Sequence, residues 1–229
     1  MTKIWTTLAS LVLCAQAPVA VSDTVAEALL RTQTIELRDG RGRPLSGSAV
    51  IVVGDYPAAP ATPAQPAVMS QKNERFTPDL LVIQAGEAVA FPNNDRVMHH
   101  VYSFSQARQF EIPLYQSEAP SPIRFETAGV VVVGCNIHDQ MVGTIIVADT
   151  PFFALTDKRG RARLTVPPGA TEVDVWYPRD GRYVSTRRRL ADAATAGGKR
   201  GARTVFEIAD ASQPQQQQSV GALEWNEDY

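Results

Sequence analysis

The stretch Cys135-Asn136-Ile137-His138-Asp139-Gln140-Met141 sets a thiol, an imidazole and a thioether at three-residue intervals. One short loop can therefore supply all three. Soft sulfur donors mixed with imidazole suit copper, and two His, one Cys and a weak axial Met form the ligand set of blue-copper sites. A second imidazole must come from elsewhere. The chain has three histidines, and the other two are adjacent, in Met98-His99-His100-Val101-Tyr102-Ser103-Phe104.

Strand alternation bears on the choice between His99 and His100, because side chains two apart share a face. Met98, His100, Tyr102 and Phe104 make a mostly apolar row, which is expected to face the core. On that reading His100 is the ligand and His99 the alternative. The predicted set is His100, Cys135, His138 and Met141 around one copper ion, Cu+ or Cu2+. Met69 and Met98 read as core residues.

Other chemistries lack residues. Structural zinc calls for four Cys or His ligands, and iron–sulfur clusters need more thiolates than this chain has. A Cys135/His138 nucleophilic pair would leave Met141 and the upstream histidines unexplained. Neither a phosphate-cradling Gly-rich loop nor a Ser/His/Asp set is evident, so no catalytic residues are assigned and an enzyme is not expected.

The elements that must position these donors read as strands. The metal loop follows Val130-Val131-Val132-Val133-Gly134, stiffened by β-branching, and Ile145-Ile146-Val147 returns after it. Strand signals also occur at 34–38, 48–53, 80–83, 87–91, 98–104 and 123–126, with Gly- or Asn/Asp-bearing turns between several of them. Such short strands with little helical periodicity indicate an all-β antiparallel sandwich or barrel. A second set at 152–156, 162–166, 172–177, 183–189 and 204–208 suggests a small module of its own.

The expected organisation is a signal peptide at 1–22, a copper domain at 23–149, a β module at 150–209 and a disordered tail at 210–229. The export signal is read from Lys3, an apolar run at 4–17 and small residues after it. Its removal would take Cys14 and leave Cys135 as the lone cysteine of an oxidising compartment. The dense prolines of 57–66 predict an extended loop. With 22 Lys and Arg against 24 Asp and Glu, nothing points to nucleic acid. No later apolar run is long enough to span a bilayer. Arg187-Arg188-Arg189 is a candidate docking patch.

Cys135-x-x-His138-x-x-Met141 resembles the metal loop of the cupredoxins, with a spacing like that of amicyanin. Phe91-Pro92-Asn93-Asn94-Asp95 leading into 98–104 is similar to the strand that carries the first histidine ligand in plastocyanin-like members. The resemblance covers roughly 68–148. It implies a Greek-key β-sandwich, a type 1 copper and one-electron transfer outside the cytoplasm, in the periplasm or otherwise exported. Protein donors and acceptors, such as a dehydrogenase or a c-type cytochrome, are the implied partners. Gly134-Cys135-Asn136-Ile137-His138-Asp139 also resembles exported methylamine-utilisation-like proteins. The family usually ties its metal loops together through an Asn after the first His. Val101 stands there if His100 is the ligand, which leaves Asn93, Asn94 and Asn136 as candidates for that support. Asp139 after His138 puts a carboxylate where the amicyanin loop tends to have Pro. Residues 151–209 resemble the small sandwich modules found beside carboxypeptidases, through Pro167-Pro168-Gly169 and Val175-Trp176-Tyr177. A copper carrier or sensor, or a structural module with a vestigial site, are the other functions these residues allow.

Overall fold

A strand with one solvated face alternates, whereas one covered on both faces reads as an unbroken apolar run. Both kinds occur here. In Gly129–Gly134, Val131 and Val133 are buried while Val132 between them is exposed. Ala49–Val53 and Val142–Ala148 are instead almost wholly buried. The reason is a second layer of protein on their outer sides.

The computed structural model describes residues 30–56, 65–116, 120–190, 194–196 and 203–211. Its regular elements are all strands: β1 Arg31–Asp39, β2 Ala49–Val53, β3 Ala67–Val68, β4 Ser70–Gln71, β5 Phe76–Thr77, β6 Leu80–Gln84, β7 Glu87–Ala90, β8 His99–Ser103, β9 Phe110–Tyr115, β10 Ile123–Phe125, β11 Gly129–Gly134, β12 Val142–Ala148, β13 Phe153–Leu155, β14 Arg161–Val166, β15 Glu172–Arg179, β16 Arg182–Arg189, β17 Ala194–Ala196 and β18 Arg203–Ile208. The chain is all-β, as its strand patterns predict. No helix among the described residues is long and apolar enough to cross a membrane. The signal at 1–22, residues 57–64 of the Pro-rich loop and 212–229 of the tail lie outside the described residues.

The strands form two sandwiches. One has a five-stranded sheet in the order β6-β12-β11-β8-β9 and a three-stranded sheet β10-β7-β3, beside the β4-β5 hairpin. Phe91, Phe125, Val101, Val131, Val133 and Ile145 are among the residues filling it. The other has the sheets β14-β1-β18-β17 and β13-β2-β15-β16, enclosing Ile35, Leu37, Val50, Leu164, Val175 and Phe206.

The division expected at 149/150 is corrected by the pairing. β1 is antiparallel to β14 and parallel to β18, and β2 lies between β13 and β15. The first two strands therefore complete the module expected at 150–209, and the sandwich of 67–148 is inserted between β2 and β13. A strand's composition specifies which faces are buried but not which neighbour supplies its hydrogen bonds. Two extra strands also give the module the core that about sixty residues would struggle to bury alone.

The outer face of β2 packs on that of β6 and β12, where Ala49, Ile51, Leu80, Val82, Ile146 and Ala148 form a third buried cluster. Each large aliphatic side chain fully covered there contributes about 1.5–3 kcal/mol. Tyr183 adds a hydrogen bond across the junction to Asp79 Oδ2, 3.2 Å. Burial and the Asp79 carboxylate both push the Tyr183 phenol up. These contacts hold the outer face of the inserted sandwich against the second one.

Candidate metal centre

Cys135 continues the inward phase of Val131 and Val133, so its side chain enters the core and is 3% exposed. The chain then turns, with the Met141 N–H donating to His138 O at 2.8 Å, and β12 starts at Val142. Met141 is fully buried in the same core as Cys135, and His138 is half-buried. A short turn between two paired strands thus fixes the donors of this loop.

The second imidazole comes from β8. His99, Val101 and Ser103 face inward and are essentially unexposed. His99 Nδ1 lies 3.2 Å from His138 Nδ1, and Cys135 Sγ lies 4.0 Å from the first and 3.6 Å from the second. Three donor atoms of the right types therefore converge on one point. The point equidistant from them, the circumcentre of that triangle, is about 2.1 Å from each, within ordinary metal–nitrogen and metal–sulfur bond lengths of roughly 2.0–2.3 Å. A hydrogen bond between the two imidazoles explains the shortest side of the triangle. It does not explain why the thiol sits against both.

His100, expected as the ligand, is not in this group, and the alternative His99 is. His100 occupies the outer face, where its Nε2 meets Glu111 Oε1 at 2.9 Å and its ring packs on Tyr102. The hydrophobic row pointed the wrong way. Met98 and Phe104 are 50% and 67% exposed, so the apolar row of β8 faces out and the row carrying two polar residues faces in. Inward polar groups are tolerated because each has a partner. Ser103 Oγ accepts from the Ser105 N–H at 3.1 Å, and His99 Nε2 lies 2.8 Å from Asp95 Oδ2.

The Asp95 contact defines the tautomer. A carboxylate only accepts, so the His99 proton sits on Nε2 and the Nδ1 lone pair is left for the site. Asp95 also accepts from the backbone N–H of Asn73 through Oδ1, 2.6 Å, and of Glu74 through Oδ2, 2.9 Å. Burial pushes its carboxyl up, but the hydrogen bonds from Glu74, His99 and Asn73 outweigh this and hold it below the usual range. To present these N–H groups, Asn73 and Glu74 adopt left-handed backbone, φ 55° and 56°, uncommon for residues other than Gly.

Of the asparagines, Asn93 supports the site. Its Nδ2 donates to Val97 O and Tyr115 O, both at 2.9 Å, and its Oδ1 accepts from the Asp95 N–H. That clamps the loop delivering Asp95 and His99. Asn94 is exposed and contributes its backbone N–H to Gln71 O. Asn136 is exposed beside Cys135.

Sequence reasoning missed Asp95, Gln71 and Tyr115. Gln71 Nε2 donates to Phe91 O and to the Tyr115 hydroxyl, which donates to Phe91 O at 2.5 Å. Burial pushes the Tyr115 phenol up to about 12, Gln71 opposing and the nearby Cys135 charge reinforcing the rise. The only advance signal for Asp95 was its place four residues before His99, which has meaning only once the loop's path is known. His138, Asp139, Gln140 and Met141 line a cleft of about 440 Å³ with Asn73, Glu74 and Arg75. The donor set therefore has one wall facing solvent.

Neither a family model nor a curated protein sequence matches the chain. The chain is similar to cupredoxins of solved structure. Amicyanin from Paracoccus versutus is 24% identical, with TM-score 0.34, over 43% of this chain and 97% of that one. A proline-to-alanine mutant of amicyanin in its oxidised state is 19% identical, with TM-score 0.35, over 43% and 98%. A purple cupredoxin from Nitrosopumilus maritimus is 24% identical, with TM-score 0.31, over 35% and 96%.

Proposed function

We propose that this protein is an exported type 1 copper protein that carries single electrons between protein partners. The supporting observation is the His99/Cys135/His138 triangle, whose centre lies at bonding distance from all three donors. Two imidazoles and a thiolate, with the thioether of Met141 buried in the same core, would hold a copper ion. Copper, when bound, supplies a one-electron couple.

The chain's own groups do the rest. Cys135 gives up its proton on binding and offers the thiolate that couples the site to the protein. Asp95 holds the proton at His99 Nε2 and keeps the ring oriented. The paired strands on either side of the 135–141 turn resist movement of the donors, so little rearrangement accompanies a change of charge. Buried Met141 and its apolar neighbours exclude water on the inner side. His138, half-buried at the cleft, is the edge through which a donor and then an acceptor, for example a dehydrogenase and a c-type cytochrome, would exchange the electron.

Stoichiometric Cu(II) added to the purified protein should produce an intense visible thiolate-to-copper band and a reversible one-electron wave, both absent in Cys135→Ala. A wild-type protein that takes up copper without either signal would overturn the assignment. The open wall beside His138 favours copper delivery as a second reading, and its mark would be rapid loss of the metal to a mild chelator.

A further inference from the structure

The second sandwich carries the same turn twice. Asp39-Gly40-Arg41-Gly42-Arg43 and Asp157-Lys158-Arg159-Gly160-Arg161 share the pattern Asp-x-Arg-Gly-Arg, and they fold alike. In each, one Asp carboxylate oxygen accepts the backbone N–H groups of both following arginines, at 2.8–3.0 Å. The backbone N–H of each Asp bonds the carbonyl of the second Arg at 2.9 Å, and the N–H of each fourth-position Gly returns to the Asp carbonyl at 2.9 Å. The two turns adjoin, since the Leu37 N–H donates to Gly160 O at 2.8 Å.

The consequence is a segregation of charge. The carboxylates are consumed locally. Asp39 is nearly unexposed beneath Arg43, and Glu36, equally buried, accepts from Arg38, Arg161 and Arg203. Asp157 is exposed, but its Oδ1 accepts two N–H groups of its own turn and its charge is matched by Arg159 and Arg161. The cations point outward. Arg38 and Arg43 are 40% and 52% exposed even while paired, and Arg41, Lys158 and Arg159 are exposed, Arg159 within the field of the Asp157 carboxylate. Glu207 faces Arg38 in the strand register and offsets only one of them. A chain of net charge −2 therefore presents a basic pole, built from two copies of one turn.

We propose that this pole is a docking surface for an acidic protein segment. Most of its cations are guanidiniums, whose planar forks match carboxylates, and they stand on rigid turns rather than a flexible tail. An anionic membrane fits less well, because so broad a surface would also face the net-acidic remainder of the chain, whereas a short segment meets the pole alone and is screened from the rest. Docking at this pole does not depend on copper.

The test uses the full chain and a labelled glutamate homopeptide, read by fluorescence anisotropy at low salt. The wild type should bind it, with affinity falling as salt rises. Arg41→Glu/Lys158→Glu/Arg159→Glu should weaken binding at least tenfold with the circular dichroism unchanged. Lys72→Glu/Arg31→Glu/Arg182→Glu, the same charge change at exposed sites outside the two turns, should weaken it less than threefold. Equal loss in both variants would reduce the effect to net charge and overturn the proposal, as would no binding by the wild type. Vesicles of phosphatidylglycerol and phosphatidylcholine are the second probe. Turn-dependent binding to them without binding to the peptide would also overturn it.

Discussion

Replacing Asp95 removes the group that orients the imidazole from β8, and the structure says how much should be lost. Its carboxylate accepts three hydrogen bonds, from His99 Nε2 and from the N–H groups of Asn73 and Glu74. Asp95→Asn retains one acceptor oxygen. The variant amide can turn that oxygen to His99 and Glu74 and leave the exposed Asn73 N–H to water, so the ring stays oriented but loses the negative charge behind it. Asp95→Ala loses both. Removal of a group that supports a ligating histidine typically costs 10–100-fold in metal affinity. We expect about tenfold for Asn and about 100-fold for Ala, the latter being about 2.7 kcal/mol. The metal-free protein should also lose about 1–3 kcal/mol for the hydrogen bonds to a charged acceptor. Copper affinity is read by competition with a chelator of known strength, and the stability of the metal-free protein by urea unfolding. An Asp95→Ala protein that folds, yet binds copper within threefold of wild type, would refute the reasoning from the His99–Asp95 contact.

Other expectations follow from the same geometry. His99→Ala should abolish the thiolate-to-copper band, whereas His100→Ala should keep it and lose only packing and the Glu111 contact, which absorption titration separates directly. Gly160→Ala should destabilise the second sandwich by about 2–4 kcal/mol, because φ is +69° and a Cβ would meet Leu37 O at 2.5 Å; urea unfolding measures it. Burial raises the Glu36 carboxyl, but hydrogen bonds from Arg38 and Arg161 and the charges of Arg38 and Arg203 bring it below its usual value. A depressed folded-state pKa stabilises fully above the unfolded value of about 4.3. The advantage of wild type over Glu36→Gln, about 1–3 kcal/mol at neutral pH, should therefore shrink as pH falls below about 4. Tyr183→Phe should cost about 1 kcal/mol by removing the bond to Asp79 across the junction, seen as a lower unfolding midpoint.

Arg187-Arg188-Arg189, a docking candidate on sequence alone, is partly engaged within the fold, since Arg187 pairs with Asp174 at 3.0 Å. The Asp-x-Arg-Gly-Arg turns take its place as the basic feature of interest. Their repetition was visible in the chain, but a turn shows where it points its cations only when its carboxylate is seen to be engaged by the backbone.

What the sequence by itself determined was local. The spacing Cys135-x-x-His138-x-x-Met141, the β-branched strand before it and the apolar return after it specify a tight turn bearing three donors, because strand phase and turn length act over a few residues. The all-β class followed from the same short-range patterns. Which histidine joined that turn was decided only in three dimensions. β8 has its apolar row outside and its polar row inside, and Asp95, held by two backbone N–H groups of another loop, makes a buried imidazole tolerable. The membership of β1 and β2 in the second sandwich was likewise a tertiary decision. Backbone hydrogen bonds are the same for every residue type, so a strand's side chains record its burial but not its neighbours.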